Sequence, residues 1–408
     1  MAERARVEID SIAARGDGVA RTDGLVVFVP RTAPGDIAEI EYTLHGRLAR
    51  GHMLSLDQPS LSRVEPPCPH YVEDNCGGCQ LQHLDYDAQL LAKSRLVADA
   101  MSRIGRRETA PPEIVPAPLQ WRYRRKLTLA LRRRPQGWVA GLHPYDAPGR
   151  VFPLADCPIT DLRVVEIWRE ILVQAPLFPA VPSLRGAVRL LDSGASFVLE
   201  GGRKWPGAKR FFDSVPSLAA LWWTPENSPR RLLHDRRDSA EPGASFAQVN
   251  PAMAGEVDEY LRGRVLSHEP ATVVDAYAGA GDHGVALAAS GVQVTAIEMD
   301  PEASAWAGSR LPAPSQVLTG RVEDLLAAQL PADVVILNPP RGGVDERVTG
   351  ALTDQPPRAI LYVSCNPATL ARDVARLPGY RVAGLRCFDM FPQTAHVESV
   401  CELIPEES

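Results

Sequence analysis

Cys365 lies in YVSCNPATLARD (residues 362–373), a polar turn that follows the apolar run ILYV. A thiolate is a strong nucleophile, and a partly open turn at a strand end can present one to a substrate. A second candidate site begins at VVDAYAGAGDHG (273–284), where a hydrophobic strand runs into a glycine-rich turn and then a helix. Gly279 and Gly281 let backbone approach a ligand closely, as at the first strand-to-helix turn of doubly wound folds. Glu298 ends the run VTAIE about 20 residues on, where such folds place an acid that binds ribose hydroxyls. His283 and Gly284 break the dinucleotide pattern G-x-G-x-x-G, and Asp275 with Tyr277 suits an adenosyl ligand better than a pyrophosphate.

A third group is cysteine-based. Cys68, Cys76 and Cys79 follow C-x7-C-x2-C, and Cys157 lies in ADCPIT. Cys68 and Cys157 each precede proline, as does the last ligand of bacterial ferredoxin runs, and Gly77 and Gly78 permit a sharp turn. The pattern favours a 4Fe–4S cluster. Zinc, which more often uses two close pairs, and unligated thiols are the other readings. Seven cysteines, an odd number, argue against a disulfide framework.

The elements that must position these groups follow from periodicity. Residues 1–60 alternate apolar and polar between Gly, Pro and Asp turns (VEIDSIA, GLVVFVP, AEIEYTL), which predicts a small barrel. Pro66 and Pro67 mark the next boundary, and residues 61–240 mix a helical stretch, strands and Pro-rich loops. A loop rich in Pro, Ser and charge (225–243) separates this from residues 241–408, where strands alternate with helices as in a parallel sheet. WRYRRKLTLALRRR (121–134) interleaves seven Arg or Lys with Trp121 and Tyr123, a combination for phosphates and stacked bases, or else a solvated strand pair.

At 408 residues, 45% hydrophobic and 23% charged, the chain has a globular composition sufficient for two or three domains. A net charge of −6 argues against nonspecific coating of nucleic acid. No apolar run approaches the roughly 18 residues of a membrane helix, and the charged start MAERARVEID predicts a cytoplasmic protein without membrane contact.

ILNPPRGG (336–343) and FDMFPQTAHVESV (388–400), taken in order with the Cys365 segment, resemble the S-adenosylmethionine-dependent RNA uracil-5 methyltransferase family. GDGVARTDGLVVFVPRTAPGD (16–36) looks like the TRAM domain of these enzymes, and CGGCQLQH (76–83) like their iron–sulfur segment. The resemblance implies an α/β protein with three units. They are an OB-like TRAM barrel (1–60), a mixed α+β central iron–sulfur and RNA-binding domain (61–240), and a Rossmann-like catalytic domain (241–408). It makes Cys365 the thiolate that adds to uracil carbon 6 and Glu398 the base that removes the carbon 5 proton. Gln248, Tyr277, Gly279, Gly281, Asp282, Glu298 and Asn338 become the cofactor-side set for S-adenosylmethionine, with Arg321 where an adenine contact is expected. Cys68, Cys76, Cys79 and Cys157 become cluster ligands.

TRAM and cysteines together are most similar to the branch acting on 23S rRNA, and the protein is expected to work as a monomer. Transfer RNA is the alternative substrate. A noncatalytic RNA-binding or assembly protein is the rival class. The family usually has Asp where this chain has Asn338; a carboxamide can serve uracil less strongly and would also tolerate cytosine, so cytosine-5 methylation is a further reading.

Overall fold

The computed structural model describes residues 2–46 and 48–406. The alternating N-terminal segments form five strands, β1 (Glu3–Ile12), β2 (Gly18–Thr22), β3 (Leu25–Val29), β4 (Ile37–His45) and β5 (Leu48–Gln58). They close into a barrel in the order β1-β2-β3-β5-β4. Its interior holds Val7, Ile9, Val27, Val29, Ile40 and Tyr42, the inward members of the alternation. Side chains of the β3–β4 connection fasten the barrel to residues 63–145. Asp36 is fully buried and accepts from Arg63 Nε at 2.8 Å and Nη2 at 2.7 Å, and the Arg31 guanidinium lies 3.9 Å from the Tyr71 ring centre and 4.6 Å from that of Tyr145.

After the short helix α1 (Pro69–Val72), helix α2 (Tyr86–Arg103) starts at Asp85, whose side chain accepts from Ala88 N. A two-residue strand, β6 (Ile114–Val115), comes next. The middle of the chain then builds a seven-stranded sheet from β7 (Lys126–Arg134), β8 (Gly137–Leu142), β9 (Phe152–Pro153), β10 (Ser183–Leu191), β11 (Gly194–Glu200), β12 (Leu218–Thr224) and β13 (Arg231–Asp235). Helices α3 (Leu162–Val173) and α4 (Ala208–Asp213) contribute Trp168 and Phe211 to a core with Leu127, Leu129, Val188 and Phe197. Alternate residues of β7 and β10 therefore face away from that core.

The last part carries helices α5 (Pro251–Leu266), α6 (Asp282–Ala288), α7 (Pro301–Arg310), α8 (Val322–Leu325), α9 (Glu346–Asp354) and α10 (Pro367–Ala375). Its strands are β14 (Thr272–Ala276), β15 (Gln293–Glu298), β16 (Gln316–Thr319), β17 (Val334–Leu337), β18 (Ala359–Ser364), β19 (Tyr380–Phe388) and β20 (Glu398–Pro405). The order is β16-β15-β14-β17-β18-β20-β19-β6, with the first five strands parallel and β20 antiparallel to both neighbours. Central strands VVIL and AILYVS are buried at every position, as a parallel sheet covered on both faces requires. Asn250, Asp300 and Asn366 cap α5, α7 and α10 with their side chains, each followed by a proline that fits the first helical turn. No helix among the described residues is long and apolar enough to cross a membrane.

Residues 86–117 pack with the parallel sheet, although the seven-stranded sheet follows them in the chain. Val97 and Met101 of α2 enter the core of the parallel sheet, and β6 pairs with β19 at its edge. The same helix grips the loop before β20. Lys93 Nζ donates to Asp389 Oδ1 at 2.5 Å and to Phe391 O at 3.1 Å, with Lys93 and Asp389 both fully buried. Gln89 donates to Gln393 Oε1 and accepts from Gln393 N, each at 3.0 Å. Removing one member of a buried pair strands the other charge. Lys93→Met should therefore cost about 3–5 kcal/mol of stability in urea unfolding, and adding Asp389→Asn should recover most of it. A double variant no more stable than Lys93→Met would show that the stranded carboxylate is not the cost.

Candidate active site

Parallel strands leave their C-terminal ends on one edge, and ligands bind in the crevice there. Tyr277 follows β14, Glu298 ends β15, Asn338 follows β17 and Cys365 follows β18, while the antiparallel β20 begins at this edge with Glu398. Ser364 pairs with Ser399. That is the last pair of the ladder, and Cys365 and Glu398 are the next residues along their two chains.

Glu398 is 3% exposed, and burial pushes its carboxyl up to about 8, opposed by Arg341. Burial and the neighbouring Glu398 likewise push the Cys365 thiol up, while the positive charge of Arg341 pulls it down. Arg341 is held by the nucleophile's own motif. Asn366 Nδ2 donates to Arg341 O at 3.3 Å, and buried Asp373 accepts from Val344 N at 2.9 Å and from Tyr362 Oη at 2.7 Å.

The two glycines of the turn after β14 have different reasons to be glycine. Both need positive φ, +57° at Gly279 and +82° at Gly281. A Cβ on Gly281 would lie 2.6 Å from Ala307 Cβ, so that position lets α7 pack close, whereas a Cβ on Gly279 would meet nothing within 4 Å. The Glu298 carboxylate accepts from Gly279 N at 2.8 Å and Asp300 N at 2.6 Å. Tyr277 has φ +63°, is half-buried against the parallel sheet's core, and its hydroxyl is pushed up by burial. Asp275 is fully buried, pushed up to about 6 by burial, and neither of its oxygens has a hydrogen-bond partner among the described residues. Open space thus borders Gly279, and the Glu298 carboxylate is fixed on the same turn.

Asp282 and Arg321 are turned outward. Asp282 pairs with Arg310 at 2.8 Å, its side chain 65% exposed, and Arg321 donates to Glu323 at 2.6 Å. Gln248 lies on a segment sewn to three sides. Arg125 N donates to Val249 O, Ser245 Oγ to Asp300 Oδ1, and Asn250 Nδ2 to Met390 O. On the same segment Phe246 is 72% exposed.

The family model for tRNA (Uracil-5-)-methyltransferase matches residues 318–405, which hold Asn338, Cys365 and Glu398, and that for the TRAM domain matches 3–43 in the barrel. An uncharacterized RNA methyltransferase of Thermosynechococcus vestitus is 33% identical, with 97% of each chain covered. Another, of Gloeobacter violaceus, is 34% identical over 97% of this chain and 95% of its own. The chain belongs to the RNA uracil-5 methyltransferase family. Its fold matches that of Pyrococcus abyssi tRNA (uracil-54, C5)-methyltransferase, solved with S-adenosyl-L-homocysteine, at a TM-score of 0.70 and 23% identity, over 98% of this chain and 100% of that one.

In this family member the four predicted cluster cysteines come together. Cys68, Cys79 and Cys157 share one cluster with Tyr71, Tyr123 and Ile159, and Cys76 is close enough for all four thiols to bear on one another. All are unbridged, and burial pushes each up, Cys76 to about 11. Among the described residues, no three His, Cys, Asp or Glu side chains converge tightly enough to hold one metal ion. Cys387 and Cys401 are core thiols, fully buried.

Sequence reasoning missed Arg341 as a site residue. Its signal was its place directly after the NPP at 338–340, at the end of a buried strand. Because Glu398 and Cys365 disfavour each other's charge, Glu398→Gln should lower the pH midpoint for iodoacetamide alkylation of Cys365, read by peptide mass spectrometry, and Arg341→Met should raise it. Unchanged midpoints in both would separate the three groups.

Proposed function

We propose that this protein transfers the methyl group of S-adenosylmethionine to carbon 5 of a uridine in RNA, by covalent catalysis through Cys365. The observation that carries the reading is the convergence of a nucleophile and a desolvated carboxylate at adjacent strand ends, with one arginine beside both. Carbon 5 of uracil is a weak nucleophile by itself. The Cys365 thiolate adds to carbon 6, and the carbon 5–carbon 6 π electrons move toward carbon 5 and the carbon 4 oxygen as an enolate. S-adenosylmethionine supplies an electrophilic methyl group held in line with carbon 5. Glu398 then takes the carbon 5 proton, the electron pair re-forms the double bond, and Cys365 leaves as thiolate. Once ionised, a carboxyl raised to about 8 makes a stronger base than an ordinary glutamate. Arg341 steadies the thiolate when it forms and when it departs.

Gln248, Tyr277, Gly279, Gly281 and Glu298 line the cofactor side in this reading. Asp282 and Arg321 reach the ligand only by exchanging their present ion-pair partners. In this reading Cys68, Cys76, Cys79 and Cys157 hold a 4Fe–4S cluster, which the burial of all four thiols in one region supports. Such a cluster ties the turn at 76–79 to Cys157 and stiffens the segment that touches the catalytic loop. The substrate proposed is 23S rRNA, which TRAM and cysteine set together favour. Transfer RNA is the second reading, supported by the fold shared with the Pyrococcus abyssi enzyme.

Cys365→Ala should abolish methylation while retaining S-adenosylmethionine binding. Glu398→Gln should instead accumulate an RNA adduct that survives denaturing gels and disappears when Cys365 is also replaced. Normal turnover without adduct in Glu398→Gln would sink the assignment.

Asn338 reads the Watson–Crick edge of the extruded base in this scheme. Asn338→Asp should raise the rate of 5-methyluridine formation, through a charged acceptor for the imide hydrogen. Nucleoside mass spectrometry decides, and 5-methylcytosine as the only product, suppressed by Asn338→Asp, would overturn the uracil assignment.

A further inference from the structure

Three segments far apart in sequence meet at Ala395, three residues before Glu398. The turn between β1 and β2 (residues 13–17) comes from the barrel, residues 76–81 form the cysteine turn, and residues 393–395 belong to the loop that leads into β20. Ile12 and Ala33 of the barrel are buried in one apolar cluster with Leu81, Leu84, Ala92 of α2 and Ala395. The barrel therefore reaches the loop that carries the candidate base.

Gln80 stands at the junction. Its backbone N donates to Gln393 O at 3.1 Å, and its carbonyl accepts from Tyr71 Oη at 3.2 Å. Its side-chain amide works on both sides, with Nε2 donating to Gly77 O at 2.8 Å and Oε1 accepting from Ala395 N at 3.2 Å. A carboxamide carries a donor and an acceptor at one end, which an ionised glutamate or a methionine of similar length does not.

Gly16 closes the arrangement from the barrel side. It is buried at φ +85°, where a Cβ would overlap that of Gln80 and lie 3.3 Å from that of Ala395. Left-handed backbone and close approach both require glycine here. With the barrel turn lying against its stem, the Gln80 amide has few rotamers to choose from, and the one adopted meets Ala395 N. Between Ala395 and Glu398 the chain has only His396 and Val397, and Val397 is fully buried in the core of the parallel sheet. A displacement at Ala395 is thus passed over two residues to the start of β20.

We propose that Gln80 and Gly16 are positioning residues for Glu398, which makes the barrel, beyond any contact with RNA, a structural part of the catalytic site. The inference rests on the reading of Glu398 as the base. Proton removal is sensitive to such placement, since a shift of about 1 Å can cost about 100-fold in rate.

The test uses the full-length protein prepared anaerobically, with rates counted per S-adenosylmethionine-binding site so that misfolded molecules drop out. Gln80→Met keeps the length of the side chain and removes both amide bonds, and Gly16→Ala presses on the same stem from the barrel. Each should lower kcat on unmodified 23S rRNA or transfer RNA transcripts about 10–100-fold with KM for RNA nearly unchanged. Each should also accumulate the gel-stable adduct through Cys365, because removal of the carbon 5 proton slows while thiolate addition does not. Gln80→Glu keeps an acceptor for Ala395 N and loses the donor to Gly77 O, so it should restore part of the rate lost in Gln80→Met. The pH midpoint for alkylation of Cys365 should fall toward that of Glu398→Gln as the carboxyl moves away from the thiol. If Gln80→Met and Gly16→Ala keep wild-type kcat and midpoint and form no adduct, while Glu398→Gln traps one, the positioning role falls and the catalytic reading stands. A raised KM for RNA at unchanged kcat would also overturn it and leave the barrel turn a holder of RNA. Normal turnover by Glu398→Gln without adduct removes the base reading and this proposal together.

Discussion

The site depends on how the loop from Asp389 to Val397 is held, because Glu398 begins β20 directly after it. That loop has no regular structure of its own, and its order comes from outside. Lys93 enters from α2 to neutralise Asp389 in full burial, Gln89 exchanges hydrogen bonds with Gln393, and Tyr123 donates to Pro392 O. The cysteine turn contributes directly. Gln80 N and Leu81 N both donate to Gln393 O, and Gln80 Oε1 accepts from Ala395 N. A buried ion pair gives little net stability against an apolar substitute, but its directional requirements favour one loop conformation over its neighbours. The arrangement makes the cysteine turn, α2 and the catalytic sheet one mechanical unit.

Much of this was legible in sequence where the signal is local. Alternation in residues 1–60 gave the barrel, the unbroken apolar run ILYV marked a central parallel strand, and glycine and proline at strand ends marked the turns that carry Tyr277, Asn338 and Cys365. Periodicity reports which face of an element is buried, not what buries it. Helix α2 reads as amphipathic, yet nothing local says that it packs on α10 and holds residues about 300 positions away. The seven cations of 121–134 look alike in sequence. Only the register of β7 on β10 separates those spent on local structure from the group around Lys126.

The candidate cofactor turn shows the same limit at finer scale. Gly279 and Gly281 are equivalent as motif letters, and both adopt positive φ. The contact with Ala307 makes Gly281 a packing residue, while Gly279 borders open space. Asp282 carries a charge that motif matching assigns to a ligand, but without one its carboxylate is turned to Arg310 at the surface. Chemistry at a strand end is predictable from residue type, whereas the side chain's direction is set by neighbours distant in sequence.

Glu398 is a cost to the folded state. A carboxyl raised from its ordinary 4.5 to about 8 keeps its proton in the native protein while the unfolded chain has lost it. Its contribution to stability therefore falls as pH rises from about 4.5 to about 8, the opposite of a salt-bridged acid. The cost at Glu398 is that of ionising a buried carboxyl, so its proton-accepting form becomes available only as pH approaches about 8. Folded proteins keep such strain at sites of function because relieving it in the free state would also weaken what binds there.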